Sequence, residues 1–351
     1  MPPPPPASPA SESAPPADGS GALGETEAPP PALSVENLVK RYAGVTAVED
    51  VSFSVGRGEI VGFLGPNGAG KSTTMRIVAG VLPATSGIAR VGGISVAADP
   101  ERACRRLGYM PENNPLPDDL RVTEYLRWRA LLKGASGRGA DAAVTEAMEA
   151  CDLVRKARRR LIGTLSKGFR QRVGIADALL CKPDVVILDE PTIGLDPHQI
   201  LGIRRLIRGL RGKMSVLISS HILPEIEQVC DRVIIINQGR VVASGTAEAL
   251  RREFIPNTRF EIEADTTQGA LETLLLPEEP RVEVSAKGGG RFSVTLPAHS
   301  PLAPALLGKI WNATGGAVRN CHAVEPTLED IFIAATRRGW EMETRIAPAA
   351  P

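Results

Sequence analysis

The stretch GPNGAGKST, residues 65 to 73, constrains this chain more than any other. Gly65, Gly68 and Gly70 alternate with Pro66, Asn67 and Ala69, and the run ends in Lys71, Ser72 and Thr73. A backbone so rich in glycine can wrap with its N–H groups turned inward, which makes a cradle for phosphate. Lys71 is placed to reach the outer phosphates and Ser72 to offer a hydroxyl to Mg²⁺. The preceding EIVGFL reads as a strand and the following TTMRIVAGVL as a helix, so the loop lies at a helix N-terminus, where anions are favoured.

Two further apolar runs supply the rest of the chemistry. VVILDE, residues 185 to 190, and MSVLISSH, ending at His221, are short and continuously apolar until their last residues. That is the pattern of strands buried on both faces of a parallel sheet, whose carboxyl ends carry the chemistry. Asp189 can hold Mg²⁺ through water, and Glu190 beside it can orient or deprotonate an attacking water. These features define an α/β fold and a P-loop NTPase, a class that includes helicases, kinases and GTPases.

At 351 residues, 43% of them hydrophobic, the chain is long enough for two domains. Lys and Arg total 41 against 40 Asp and Glu, and the net charge of +1 gives no global reason to expect nucleic acid or an anionic membrane surface as the main partner. The five cysteines form no CxxC pair, which argues against a zinc site or disulfide framework and for a cytosolic chain. No apolar run approaches the roughly 18 residues needed to span a bilayer, so a membrane role requires a separate partner chain. Residues 1–32 contain no Lys or Arg and lack the basic and apolar regions of a signal peptide; a disordered Pro-rich tail is expected there. The domain beginning at residue 33 and running to 253 opens with antiparallel strands and carries a charged, helical middle over about 99–180. Residues 254–340 alternate strand-like runs such as RFEIEAD and RFSVTLP with helical ones, which predicts a small α+β regulatory or interaction domain. A flexible tail is expected over 341–351. His322 has no second ligand near it in sequence and is not assigned to a metal. The run RKARRR, residues 155 to 160, reads as a solvated helix end, and no specific nucleic acid is expected.

LSKGFRQR, residues 165 to 172, arrives shortly before VVILDEPTIGLD and then SSH. In motif content and order, over roughly residues 33 to 250, the chain resembles the ATP-binding subunits of ABC transporters. The resemblance implies an ABC-cassette fold: a parallel-sheet RecA-like core, an antiparallel β subdomain and a helical subdomain. It also implies ATP and Mg²⁺ as cofactors, and a head-to-tail pairing with a second cassette subunit, here a homodimer. In such a pair Ser166 and Gly168 of one subunit face the γ-phosphate held by Lys71 of the other. Tyr42 in KRYAG falls where an aromatic ring stacks on adenine, Asp196 in the loop that communicates between sites, and His221 where a switch histidine positions Glu190. Glu112 in YMPE stands where most such cassettes have Gln as a metal ligand, and an ionised carboxylate cannot donate as an amide does. That form, with the late EPTLEDIFI, is similar to the drug-resistance and gliding-motility type of exporter ATPases. The implied partner is a separately encoded transmembrane permease, with the chain peripheral on the cytoplasmic face. A soluble ABC ATPase acting on ribosomes or DNA is the alternative; the second cassette or the coiled-coil and zinc insertions of those proteins are not seen.

Overall fold

The computed structural model describes Met1, residues 29–297 and residues 300–346. Most of the tail expected over 1–32 and the end of the one expected from 341 lie outside the described residues. The first elements are a hairpin, β1 (Leu33–Tyr42) and β2 (Val45–Val55), and β3 (Ile60–Leu64) then leaves for a second sheet. After α1 (Lys71–Val78), β4 (Ser86–Val91) and β5 (Ile94–Ser95) complete a four-stranded antiparallel sheet in the order β2-β1-β4-β5. Alternation of buried Leu33 and Val35 with more exposed neighbours along β1 fits a sheet covered on one face.

The charged middle is not wholly helical. It runs through α2 (Pro100–Arg105), the strand β6 (Leu107–Met110), α3 (Val122–Leu132), α4 (Gly137–Ala150) and α5 (Lys167–Leu179). Four residues are too few for a periodic signal, and only pairing with the next strand fixes β6 as extended. There follow β7 (Val185–Asp189), α6 (Pro197–Arg208), β8 (Ser215–Ser219), α7 (Leu223–Val229), β9 (Arg232–Asn237) and β10 (Arg240–Gly245). The six-stranded sheet has the order β10-β9-β3-β8-β7-β6 and is parallel except for β10. Every residue of β3, β7 and β8 is buried, as continuously apolar runs require. The carboxyl ends of these three adjacent strands therefore open on one edge, and the motifs sit there.

After α8 (Ala247–Phe254) comes a β-α-β-β-α-β unit: β11 (Thr258–Ala264), α9 (Gln268–Leu275), β12 (Glu283–Gly288), β13 (Arg291–Leu296), α10 (Leu306–Ala313) and β14 (Val318–Val324). Its sheet is antiparallel throughout with the order β12-β13-β11-β14, a ferredoxin-like arrangement. Ile262, Leu271, Val294, Leu306 and Ile310 form its own core. The last helix, α11 (Leu328–Ile346), does not stay with that core. Leu328, Ile331 and Ala335 are buried in the same cluster as Ile226 and Val229 of α7 and Leu250 of α8. Arg251 of α8 reinforces the return, its Nε donating to the Pro326 carbonyl at 2.7 Å. In sequence α11 follows the C-terminal domain, but in packing it belongs to the core of the six-stranded sheet, and it begins well before the tail expected at 341.

Candidate nucleotide site

The loop after β3 needs its glycines where the backbone is crowded. A Cβ on Gly65 would lie 2.4 Å from the Ile236 carbonyl, and one on Gly70, at a φ of 101°, 2.5 Å from the Ala47 carbonyl. Gly70 caps α1 without a side-chain bond, and the first turn holds no acidic residue, so the N–H groups and the positive end of the helix face the loop. Lys71 opens α1 and is 8% exposed. Its ammonium folds into the loop, donating to the carbonyls of Gly65 at 2.7 Å and Pro66 at 3.2 Å. Burial holds Lys71 below the ordinary lysine range, opposed by the negative charges of Glu190, Asp189 and Glu112. Ser72 and Thr73 are half-buried in the same turn.

Asp189 and Glu190 follow on β7, both buried. Ser219, at the end of β8 and directly across from Asp189, donates its hydroxyl to Asp189 Oδ1 at 2.6 Å and accepts the Glu190 N–H at 2.9 Å. Glu190 has a φ of 50°, the left-handed region, which turns its side chain out of the strand direction. Its Oε2 meets His221 Nδ1 at 2.7 Å. An ionised carboxylate only accepts, so Nδ1 carries the hydrogen and Nε2 is left for another partner. Oε1 of Glu190 stays open on the same edge of the sheet. One turn further, Thr192 donates to Glu225 of α7 at 2.9 Å, and Arg204 of α6 approaches the same carboxylate at 3.5 Å. This buried group ties the segment after Glu190 to the helix that follows His221.

The structure thus brings together Lys71, Asp189, Glu190 and His221, with Glu112 close enough to act on the Lys71 charge. It leaves the LSKGF segment apart. Ser166 is the N-cap of α5, exposed and without a side-chain cap bond, and Gly168 is buried where a Cβ would lie 2.6 Å from Gln199 Oε1 of α6. Among the described residues no hydrogen bond or ion pair joins Ser166 or Gly168 to residues 65–73. Glu112 faces that second segment as well, across a cavity of ≈240 Å³ lined also by Asn114, Lys167 and Ile193. Asp196 is exposed and caps α6, accepting from the Gln199 N–H at 2.9 Å. Tyr42, 44% exposed at the end of β1, has the Lys40 ammonium 5.1 Å from its ring centroid. A further cavity of ≈390 Å³ beside the loop is lined by Asn67 and Gly68 together with Phe332 and Thr336 of α11.

Ser219 and the Thr192–Glu225 contact are not legible as functional in sequence. A serine closing an apolar strand is usually a solvated end, and only the register of β7 against β8 sets Ser219 across from Asp189.

The chemistry of these groups fits a magnesium nucleotide. Inward N–H groups and an ammonium suit phosphate, and a hydroxyl with a carboxylate supplies the hard oxygen donors magnesium takes. Comparison with known proteins agrees on the nucleotide. Residues 48–193 match the ABC transporter family, and residues 245–336 match the C-terminal domain of DrrA1-3-like ATP-binding proteins. The linearmycin resistance ATP-binding protein LnrL of Bacillus subtilis (strain 168) is 32% identical over 313 residues, covering 87% of this chain and 98% of that protein. The Nod factor export ATP-binding protein I of Ralstonia nicotianae is 34% identical over 310 residues, covering 88% and 94%. A solved structure of the ATP binding subunit of an ABC transporter superposes with a TM-score of 0.58 at 35% identity, covering 64% of this chain and 93% of that one. With its cassette and C-terminal domain both matched, the chain belongs to the ATP-binding proteins of ABC transporters, in the DrrA-like branch, and is an ATPase.

Proposed function

We propose that the chain is the ATP-hydrolysing subunit of an exporter, working as a head-to-tail homodimer on the cytoplasmic face of a separately encoded permease. The observation that carries this reading is the division of the site. Lys71, Asp189, Glu190 and His221 converge on one edge, while Ser166 stands exposed with an unengaged hydroxyl at the start of α5. A second copy set head to tail would bring its Ser166 and Gly168 to the phosphates on the first, and α5 would add its N–H groups. ATP would lie with its phosphates in the loop from Gly65 to Thr73 and its adenine against Tyr42. Ser72 and Asp189 would hold magnesium, with Glu112 reaching it through water; the metal would offset phosphate charge.

Within this arrangement each side chain has one task. Glu190 Oε1 accepts a proton from the attacking water, and His221 holds Oε2 and so fixes the carboxylate plane. His221 Nε2 senses the γ-phosphate. Asp196, at the head of α6, carries the state of one site toward the other. No helix among the described residues is long and apolar enough to cross a membrane, so contact with a permease falls to an exposed surface. Trp128, Leu131 and Leu132 on α3 are exposed apolar residues suited to receive it, whereas Arg127 is engaged with Asp141 at 2.8 Å. Export is supported by the names of the relatives, one in linearmycin resistance and one in Nod factor export. The ferredoxin-like domain holds none of the phosphate groups and is assigned to regulation or assembly.

Glu190→Gln tests the reading. The variant keeps nucleotide binding, loses about 10²-fold or more of hydrolysis and elutes as a dimer from size-exclusion chromatography in MgATP. A monomeric variant, or one hydrolysing at the parental rate, contradicts it.

A further inference from the structure

We infer that Ser219 is a positioning residue for both halves of the hydrolytic centre, setting the metal-binding carboxylate and the general base with one hydroxyl. This rests on the roles proposed above for Asp189 and Glu190. Ser219 is fully buried, with 0% exposure, and Asp189 is 2% exposed, so neither side chain has bulk water as an alternative partner. A hydroxyl carries one hydrogen. Ser219 gives it to Asp189 Oδ1 at 2.6 Å, and its lone pair accepts the Glu190 N–H at 2.9 Å. Both bonds are satisfied in a single orientation of the hydroxyl, with no rotational freedom left to it. With Oδ1 occupied, the Asp189 carboxylate plane is fixed and Oδ2 is the oxygen left for a metal.

The second bond acts on a strained backbone. Glu190 sits at a φ of 50°, which a non-glycine residue adopts only when its surroundings enforce it. Anchoring its N–H to β8 holds that conformation, and the conformation aims the carboxylate at His221. The two bonds link the ends of two neighbouring parallel strands, so a shift of β8 against β7 moves metal ligand and base together. Ser219 also stands two residues before His221, which places all three polar groups of the centre under the same pair of strand ends. Removing the hydroxyl leaves a carboxylate oxygen and an amide without partners in a dry site.

The test reads metal binding apart from turnover. Mn²⁺ affinity is measured by electron paramagnetic resonance with a non-hydrolysable ATP analogue, and metal-free affinity with a fluorescent ATP in EDTA. Ser219→Ala weakens Mn²⁺ binding about tenfold, as loss of a partner behind a metal ligand does. It lowers kcat while metal-free nucleotide affinity stays within about twofold of the parent. Ser219→Thr, which keeps the hydroxyl, recovers Mn²⁺ affinity to within about threefold. Parental Mn²⁺ affinity in Ser219→Ala overturns the inference, as does equal loss of metal-free binding, or a folded Ser219→Thr as weak as the alanine variant. Asp189→Asn is the separate control: if it binds Mn²⁺ like the parent, the role of Asp189 itself is refuted.

Discussion

The nucleotide-binding core and the ferredoxin-like domain each set helices beside a sheet, and they distribute their buried polar residues differently. In the nucleotide-binding core, Gln171 and Asp177 are buried on α5 and Ser215 where β8 opens, but Lys71, Asp189, Glu190, Thr192, Ser219, Ser220 and Glu225 gather at or just beyond the carboxyl ends of β3, β7 and β8. In the ferredoxin-like domain the buried polar residues are Glu279, Ser293 and Ser300, among the described residues, on three separate segments with no hydrogen bond between them. The difference follows from strand direction. Parallel neighbours end on the same edge, so the residues after each strand gather at one place; antiparallel neighbours send alternate ends to opposite edges. Chemistry concentrates where topology stacks the loop starts, and among the described residues α11 is the one element whose sequence neighbours and packing neighbours fall on different sides of this division.

Charging the two cores in turn probes that division most strongly. Ile331→Asp puts a carboxylate into the cluster that α11 shares with α7 and α8, and it should destabilise the core by about 3 kcal/mol or more. Leu271→Asp does the same to the ferredoxin-like core. Calorimetry with and without MgATP separates the two, since only the nucleotide-binding unit shifts its transition with ligand. The ATP-responsive transition should fall in Ile331→Asp and hold in Leu271→Asp. If Ile331→Asp left it in place, α11 would belong with the domain it follows in sequence.

On the surface the two regions should become indistinguishable. Arg252 pairs with Glu248 along α8, both largely exposed, and exposed Arg319 lies 3.6 Å from half-buried Glu263 on the ferredoxin-like sheet. Replacing either arginine by alanine should change stability by no more than about 0.5 kcal/mol in chemical denaturation. A loss several times larger at one of them would show an interaction that the exposed geometry does not contain.

Much of this was legible in sequence, for identifiable reasons. The cradle is legible because glycine at that spacing has few other uses, and Asp189–Glu190 and His221 because they end apolar runs in the order of the family's motifs. The strand β3 was readable as an apolar run leading into the glycine loop, and the C-terminal strands by their alternation. β6 was hidden by its length. The placement of α11 was hidden because Leu328, Ile331 and Ala335 make an apolar stripe at helical spacing, and a stripe states that a helix is covered without stating by what. Ser219 was hidden for a related reason: its partners lie 29 and 30 positions away in sequence and meet it only through the register of two parallel strands.

The central claim is that one nucleotide needs groups from two copies of this chain. Lys71→Ala and Gly168→Asp chains, purified separately, each break every composite site in their own homodimers and should be inactive. Random pairing on mixing gives about half mixed dimers, and each of these rebuilds one intact site, with both lesions in the other. A single-turnover assay of the mixture should therefore recover roughly a quarter of the parental hydrolysis. A mixture as inactive as its components, with mixed dimers demonstrated by cross-linking, would contradict the shared site.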